Sequence, residues 1–400
     1  MISPWQLLLS IGNYSFFGVK SSFLINFIPI SILLNETYKN IISKKEKFSS
    51  LFIILASFYI IFYSLIHPFG NGIIMMHLGS LGTDLPAMIL FILSIYVFIK
   101  CVENYNQKNL DYELLLILSF FTIFCRISYL PIIILPIFLL FRKKIFLKKI
   151  NINIFFSLPL ILWSLRSLIN NGCLIFPIKY SCFELKDYIS KKEVENFSNI
   201  IKSFARTAPE YQKFMDLNFS IYSNSWFKPW IINYFFQQSL TQIFIFFTFI
   251  LIVPCSYYFF KSNFKYKYEI FVISLLFFFI IILWLQAPDI RFGLGFLVSL
   301  PCLFFTIIIN NNIRLIPKNS YLVSFAFLLG FLSIKNIDNY EFLFNKELFD
   351  KKQSYNNYKV LYKFDKFKVV NSNDPNKFCH DIKEICISKN DINFDINNIK

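Results

Sequence analysis

Charged residues are scarce in this sequence, and their scarcity limits the class of protein. Only 16% of the 400 residues are charged, whereas 56% are hydrophobic and 20% are aromatic. Soluble domains carry about 25% charged residues. The deficit therefore excludes an ordinary soluble domain and indicates a protein that is surrounded by lipid.

Several familiar patterns are also lacking, and each absence argues against a class of protein or a processing signal. We find no convincing internal repeat, a feature that is common in secondary transporters. No basic soluble face or nucleic-acid-binding motif is visible, so we expect no nucleic-acid partner. The opening segment shows neither the basic region nor the cleavage site of a signal peptide.

The apolar residues that are present lie in blocks of 14 to 25, a length that suits membrane-spanning helices. The predicted fold class is all-α, a polytopic transmembrane helix bundle of about ten spans. The bundle is expected within residues 1–335, with a break around Arg126, and a small extracytoplasmic C-terminal tail at 336–400. The predicted spans lie near residues 20–37, 50–66, 84–100, 112–125, 128–141, 152–168, 233–260, 268–286, 292–310 and 319–335.

The basic residues of the short loops predict the orientation. One set of alternate connections holds 16 lysines and arginines, and the opposite set holds only Arg126 and Arg291. Because cytoplasmic loops carry the excess of Lys and Arg, the first set is predicted to be cytoplasmic. The 67–83 loop, the 169–232 loop, the 286–291 turn and the tail are then extracytoplasmic. The formal net charge of +16 reflects this topology and AT-rich codon usage.

Two pairs of cysteines fall in regions predicted to be extracytoplasmic. Cys173 and Cys182 lie close together in the long loop, and Cys379 and Cys386 lie close together in the tail. Neighbouring cysteines in an oxidising compartment indicate disulfides. A metal site is the weaker interpretation, because neither pair has the C-x2-C partner spacing of zinc sites.

The loop before the span at 84–100 contains the first candidate site. Asp84 stands where the helix is expected to begin, so it is either an N-cap or an acidic catalytic or metal-binding residue at the outer face. His67 and His77, two of the three histidines, flank the same loop. Metal binding by either histidine requires convergent ligands, so the metal is left unassigned and an interfacial role is the alternative.

The turn QAPDIRFG contains the second candidate site. Asp289 and Arg291 either pair with each other or form part of a binding site, in which Arg291 holds a phosphate through its guanidinium group. Arg126, at the mouth of the short helix pair, is a similar candidate. Arg166 lies at the outer end of its span, where snorkelling to the interface is sufficient to explain it.

The long loop contains two segments that suit a membrane surface. Residues 186–206 have a partly amphipathic pattern, which favours a helix that lies on the membrane. In SWFKPW, Trp226 and Trp230 precede the next span. We expect them to act as aromatic-belt anchors at the interface.

These segments in this order resemble the bacterial GT-C glycosyltransferase-like superfamily, within a largely uncharacterised group of polytopic membrane proteins. The matching segments, which extend over roughly residues 60 to 390, are LGSLGTDLPAMIL, RISYLPIIILP, ILWSLRSLINNGCLIFPIKYSCF, SWFKPW, APDIRFGLGFL and the C-x6-C of the tail.

The resemblance implies a helix bundle with an extracytoplasmic active site and a sugar donor linked to polyprenyl phosphate. Asp84 corresponds by location to the second acidic position of the superfamily, where it would act as a general base or hold a divalent cation against the donor phosphate. Arg291 and Arg126 would hold that phosphate, and His77 and Asp289 would line the site. The expected location is the bacterial inner membrane, with the lipid bilayer as a partner.

One departure from the superfamily leaves other functions open. Its members begin with a further span and an outer loop that carries the first acidic motif, whereas this chain opens at MISPWQLLLSIGNYSFFGVKSS. The sequence is therefore expected to be N-terminally incomplete or to be a diverged relative. A flippase of lipid-linked glycans and a non-catalytic scaffold subunit are the alternatives to a glycosyltransferase.

Overall fold

The fold is described here from a computed structural model, which divides the chain into two compact units, residues 1–336 and 337–400. The description covers residues 20–43, 47–66, 83–103, 110–143, 164–165, 167–169, 171–174, 178–183, 190–207, 226–230, 266–312, 358–363, 368–372 and 385–387. The predicted spans at 233–260 and 319–335, and most of 152–168, lie outside the described residues.

The described part of the first unit is helical. Its elements in chain order are α1 (Lys20–Ile42), α2 (Phe48–Ile66), α3 (Asp84–Glu103), α4 (Leu110–Cys125), a 3-10 helix (Ile127–Ile133), α5 (Ile134–Lys143), a short 3-10 turn (Lys179–Ser181), α6 (Lys191–Thr207), α7 (Phe227–Trp230), α8 (Lys267–Gln286) and α9 (Ile290–Asn312). Within the described residues, three segments are long and apolar enough to cross a membrane, namely Asp84–Glu103, Lys267–Gln286 and Arg291–Asn310.

Helix α3 occupies the centre of the bundle. It packs against α1, α2, α4 and α9, and 17 of its 20 residues are buried. Its one serine, Ser94, donates a hydrogen bond of 2.8 Å to the carbonyl of Leu90 one turn earlier, so burial of the hydroxyl leaves no unsatisfied donor. A helix that is apolar all round is expected at such a position.

The break predicted around Arg126 is present. Helix α4 ends at Cys125, Arg126 is extended, and the chain continues as a 3-10 helix that contains Pro131. Pro131 has no backbone N–H to donate to the regular hydrogen-bond ladder of an α-helix, which is consistent with the 3-10 helix found there. The α-helical pattern resumes at Ile134.

Helix α9 approaches the 3-10 helix and α3 closely at Gly295. The backbone N–H of Gly295 donates a hydrogen bond of 2.8 Å to the hydroxyl oxygen of Tyr129, and the rings of Tyr129 and Phe91 lie 4.8 Å apart. A Cβ atom at position 295 would lie 2.8 Å from the Tyr129 hydroxyl oxygen and 2.9 Å from Phe91. Only glycine allows this contact.

Gly295→Ala is therefore expected to destabilise the bundle. Both atoms that its methyl group would meet belong to buried rings, and overpacking of this kind costs about 1–3 kcal/mol. The measurement is thermal unfolding of the purified full chain in detergent. In the control pair, Gly295→Ala should cost less in a Tyr129→Phe background, where the hydroxyl is gone; equal costs in both backgrounds would contradict the proposed clash.

The second unit contains a three-stranded sheet, formed by β1 (Tyr358–Lys363), β2 (Lys368–Ser372) and β3 (Ile385–Ile387). β1 pairs antiparallel with β2, and β2 pairs parallel with β3, where Val370 is opposite Cys386. The all-α fold class did not include this sheet. The strands are rich in valine and tyrosine, residues with a high β propensity. Cys379 lies outside the described residues, so the predicted Cys379–Cys386 disulfide stays a prediction.

Candidate functional site

Polar side chains gather at the two opposite ends of the central helix. α3 has 20 residues, which at 1.5 Å per residue gives a length of about 30 Å. Asp84 stands at its first residue, whereas Tyr96 and Glu103 stand in its second half. The bundle therefore has two polar ends, whose residues lie about 18 to 29 Å apart along α3.

At the first end, Asp84 forms an ion pair with Arg126. The Oδ1 atom of Asp84 contacts an Nη atom of Arg126, and the Asp84 side chain is 7% exposed while that of Arg126 is 23% exposed. The guanidinium of Arg126 also lies 4.2 Å from the centre of the Phe292 ring, on α9. Within the described residues its buried Nε has no hydrogen-bond acceptor. The break between α4 and the 3-10 helix thus places the Arg126 guanidinium beside the first residue of α3.

The turn before α9 carries the other charges of this end. Asp289 is fully buried and accepts a hydrogen bond of 2.9 Å from the backbone N–H of Arg291, so it caps α9 in the way that aspartate commonly caps helices. Its carboxylate also accepts bonds from Arg291 Nε at 3.1 Å and from an Nη atom at 2.6 Å. The pairing of Asp289 with Arg291, one of the two interpretations of the sequence, is therefore present.

The structure brings Asp84, Arg126, Asp289 and Arg291 together, and we call these four residues the charged cluster. Arg126 interacts electrostatically with both Asp289 and Arg291. Two carboxylates and two guanidinium groups from three separate parts of the chain thus meet at one end of the bundle. Their formal charges cancel.

Asp84 does not occupy the N-cap position suggested by the sequence. The first helical hydrogen bond of α3 runs from the Ala87 N–H to the carbonyl of Thr83, at 3.0 Å. Thr83 is therefore the cap residue, and Asp84 is the first residue of the helix. A carboxylate in the first turn still interacts favourably with the helix dipole.

Two tryptophans donate hydrogen bonds to the backbone of the turn before α9. Trp284 Nε1 donates to the carbonyl of Asp289 at 2.6 Å, and Trp230 Nε1 donates to the carbonyl of Pro288 at 3.0 Å. Trp230 was expected to anchor the protein at the membrane interface, but it is buried against the turn, so that expectation is wrong. Its indole N–H satisfies a buried carbonyl, which sequence pattern alone does not reveal.

Other predicted positions are not part of this description. His67, His77 and Arg166 lie outside the described residues, so their contributions stay predictions. Across the described segments, no group of three or more His, Cys, Asp or Glu side chains is close enough to hold a metal ion.

The second polar end was not predicted as a cluster. Arg142 at the end of α5 pairs with Glu269 at the start of α8, which is 3% exposed. Tyr96 accepts a hydrogen bond of 3.0 Å from Asn40 and donates one of 3.2 Å to Glu36. The charged residues among these flank apolar blocks in the sequence, but only the packing of the helices shows which of them meet.

The long loop contains the predicted disulfide between Cys173 and Cys182. Gly172 precedes it with a φ of 70°, a left-handed conformation that glycine adopts without strain. The N–H of Phe183 donates to the carbonyl of Gly172 at 2.8 Å, and the N–H of Leu174 donates to that of Ser181 at 2.9 Å. The crosslink therefore closes a small hairpin.

Replacing both Cys173 and Cys182 with serine is expected to loosen this hairpin without unfolding the bundle. A disulfide that closes a short loop contributes about 2–3 kcal/mol, so amide exchange at Leu174 and Phe183 should accelerate about 30-fold to 150-fold. Hydrogen-exchange mass spectrometry measures this change, with Cys302→Ala as a control that leaves the hairpin intact. Unchanged exchange in the double variant would show that the hairpin does not depend on the crosslink.

Comparison with known proteins gives a family but no activity. No curated protein and no solved structure matches the chain. A family described as Domain of unknown function (DUF8201) matches residues 1–298, which is most of the 400-residue sequence and includes the whole charged cluster. The chain therefore belongs to the DUF8201 family.

Proposed function

We propose that this protein is a GT-C-like membrane glycosyltransferase that takes a sugar from a polyprenyl-phosphate donor in envelope glycan assembly. The observation that carries the proposal is the convergence of Asp84, Arg126 and Arg291 at one end of a bundle of apolar helices. A lipid-linked phosphate needs guanidinium groups beside an apolar surface, and both features occur there.

The proposed topology has about ten spans in the bacterial inner membrane, with the charged cluster and the C-terminal tail on the extracytoplasmic side. The lysine-rich loops support this orientation through the positive-inside rule. The Cys173–Cys182 disulfide supports an oxidising location for the long loop.

Each member of the charged cluster has a proposed role. Arg291, whose side chain is 37% exposed, would bind the donor phosphate, and Arg126 would add a second positive charge. Asp84 would accept the proton of the acceptor hydroxyl while the acceptor oxygen bonds to the anomeric carbon. The polyprenyl phosphate would then leave with the electrons of the broken bond.

The test of this proposal is phosphate recognition by the full chain in lipid nanodiscs. The probes are a long-chain polyprenyl monophosphate and the matching polyprenol, and binding is measured by native mass spectrometry. We expect the phosphate ester to bind more tightly than the alcohol. Arg291→Gln should remove most of this preference, about tenfold to hundredfold, because hydrogen bonds to charged groups contribute about 1.5–3 kcal/mol.

Lys39→Gln is the matched control, because Lys39 is an exposed cation paired with Glu36, and Glu36 belongs to the opposite polar end of the bundle through its hydrogen bond with Tyr96. It should leave the preference for phosphate unchanged. Equal binding of the two lipids to the unmodified protein would refute the proposed donor class.

A non-catalytic scaffold is the second candidate, and the mutual neutralisation of the cluster favours it. Each guanidinium is already held by a carboxylate, an arrangement that also suits a purely structural link between helices. The scaffold interpretation predicts that Arg291→Gln affects stability but not the preference for phosphate over alcohol.

A further inference from the structure

The turn between α8 and α9 carries the most exposed side chain of the charged cluster. The Arg291 side chain is 37% exposed, whereas that of its partner Asp289 is fully buried. The Asp289 carboxylate accepts hydrogen bonds from the backbone N–H, the Nε and one Nη atom of Arg291. Because these bonds fix both the backbone and the guanidinium of Arg291 to one carboxylate, the direction of Arg291 depends on how Asp289 is held.

The backbone of Asp289 is held by the indole of Trp284. The Asp289 carbonyl accepts a hydrogen bond of 2.6 Å from Trp284 Nε1 and one of 3.0 Å from the backbone N–H of Phe292. Trp284 lies in the last turn of α8 and is buried. Since the carbonyl and the carboxylate belong to the same residue, two donors on the carbonyl restrict the rotation of the Asp289 backbone and thereby the direction of its side chain.

The glycine at position 293 makes room for this indole. Gly293 lies in the first turn of α9. A Cβ atom there would lie 2.9 Å from Trp284 Nε1 and 2.6 Å from a carbon atom of the Phe296 ring. Both distances are shorter than an ordinary non-bonded contact, which is about 3.5–4.0 Å between carbon atoms. The absence of a side chain at position 293 therefore allows Trp284 to reach the Asp289 carbonyl.

The long loop supplies a second indole donor to the same turn. Trp230 is the last residue of α7, and its Nε1 donates a hydrogen bond of 3.0 Å to the carbonyl of Pro288. The rings of Trp230 and Trp284 lie 5.7 Å apart at an angle of 65°, an edge-to-face arrangement. The two indoles therefore pack against each other and bind consecutive carbonyls, so the long loop and α8 both hold the turn that carries Arg291.

An arginine that is already ordered has an advantage in binding an anion. Ordering a long side chain opposes binding, and preorganisation removes part of this cost. Arg126 carries the same charge and interacts electrostatically with Arg291, so a loosely held Arg291 would turn away from it. The Asp289 carboxylate, held by the turn, keeps the two guanidinium groups at the same end of the bundle.

We propose that Trp230 and Trp284 are positioning residues for Arg291, and that their indole N–H groups orient this arginine toward an anionic ligand. Trp230 makes this orientation depend on the long loop. The part of the proposal that concerns a lipid-linked phosphate rests on the proposed function, whereas the positioning of Arg291 is measured without that ligand.

Replacing each tryptophan with β-(3-benzothienyl)alanine tests the proposal in the full chain in lipid nanodiscs. In this residue a sulfur atom replaces the indole N–H, so the shape of the ring is kept and only the donor is lost. The first measurement is the rate at which p-hydroxyphenylglyoxal modifies Arg291, followed by peptide mass spectrometry. Replacement at position 230 or 284 should raise this rate about twofold to tenfold, because losing one buried hydrogen bond releases the turn more often.

Position 226 provides the matched control. The ring of Trp226 contacts Arg206, Phe227 and Trp230, and a benzothiophene ring preserves these contacts. Replacement at position 226 should leave the modification of Arg291 unchanged. Equal rates in the variants at 226, 230 and 284 would overturn the proposal.

A second pair of variants displaces the indole without changing the tryptophan. Gly293→Ala places a methyl group against Trp284 Nε1 and should also raise the modification rate of Arg291 about twofold to tenfold. Gly295→Ala is the control, because its methyl group meets Tyr129 and Phe91 instead. Equal modification of Arg291 in the two variants would show that overpacking of α9, and not the Trp284 hydrogen bond, controls this arginine, which would overturn the proposal.

The preference for polyprenyl phosphate over polyprenol separates this proposal from the proposed function. The variant with benzothienylalanine at position 284 should lose about twofold to tenfold of this preference, which is less than the loss in Arg291→Gln. Faster modification of Arg291 with an unchanged preference would overturn the role of Trp284 in phosphate binding. If the unmodified protein binds both lipids equally, the proposed function fails, and the modification rates still decide whether the two tryptophans position Arg291.

Discussion

Asp84→Asn is expected to destabilise the bundle by about 2–4 kcal/mol, because it leaves Arg126 without its carboxylate partner. Breaking a fully buried ion pair costs about 3–5 kcal/mol. We expect a smaller loss here, because the Arg126 side chain is 23% exposed and keeps the nearby Asp289 and the Phe292 ring. Thermal unfolding of the full chain in nanodiscs measures the change.

The double variant Asp84→Asn with Arg126→Gln separates architecture from chemistry. Removing both charges eliminates the unpaired cation, so the double variant should regain much of the stability that the single variant loses. If the charged cluster acts on a phosphate-linked sugar, the regained stability will not restore activity. If the loss of stability in the double variant equals the sum of the losses in Asp84→Asn and Arg126→Gln, the ion pair contributes no coupling energy.

Arg142→Met at the opposite end of the bundle is expected to have an effect at least as large. Its partner Glu269 is only 3% exposed, so the substitution leaves a carboxylate buried without its cation, at a cost of about 3–5 kcal/mol. The aliphatic side chain of methionine preserves most of the packing of the arginine stem. We therefore assign the expected loss to charge, and thermal unfolding in nanodiscs measures it.

Lys100→Met is the control for this prediction. Lys100 lies in α3 and pairs with Asp111 at 3.4 Å, and both side chains are partly exposed, at 33% and 23%. Exposed pairs contribute about 0–1 kcal/mol. A loss in Lys100→Met that equals the loss in Arg142→Met would show that burial of Glu269 is not the cause.

The sequence predicts the positions of the described membrane helices well, because the length of an apolar block and a non-helical break are local properties. The break at Arg126 follows from such local features. The members of the charged cluster could also be proposed from the sequence, since polar residues at helix mouths were expected to meet. The burial of Trp230 and the pairing of Arg142 with Glu269 could not be predicted from the sequence, because both depend on which helices become neighbours. The sheet of the second unit was missed because the pairing of its strands also depends on which segments become neighbours.

The contrast between α3 and α8 has a consequence for how the family can vary. Both helices have 20 residues, yet 17 are buried in α3 and only eight in α8, where they recur at helical spacing. Substitutions in α8 should therefore be tolerated on one side and rejected on the other. All faces of α3 pack against other helices, so homologues should change its side chains in compensating sets. A saturation mutagenesis map should therefore show no 3.6-residue periodicity in tolerance along α3.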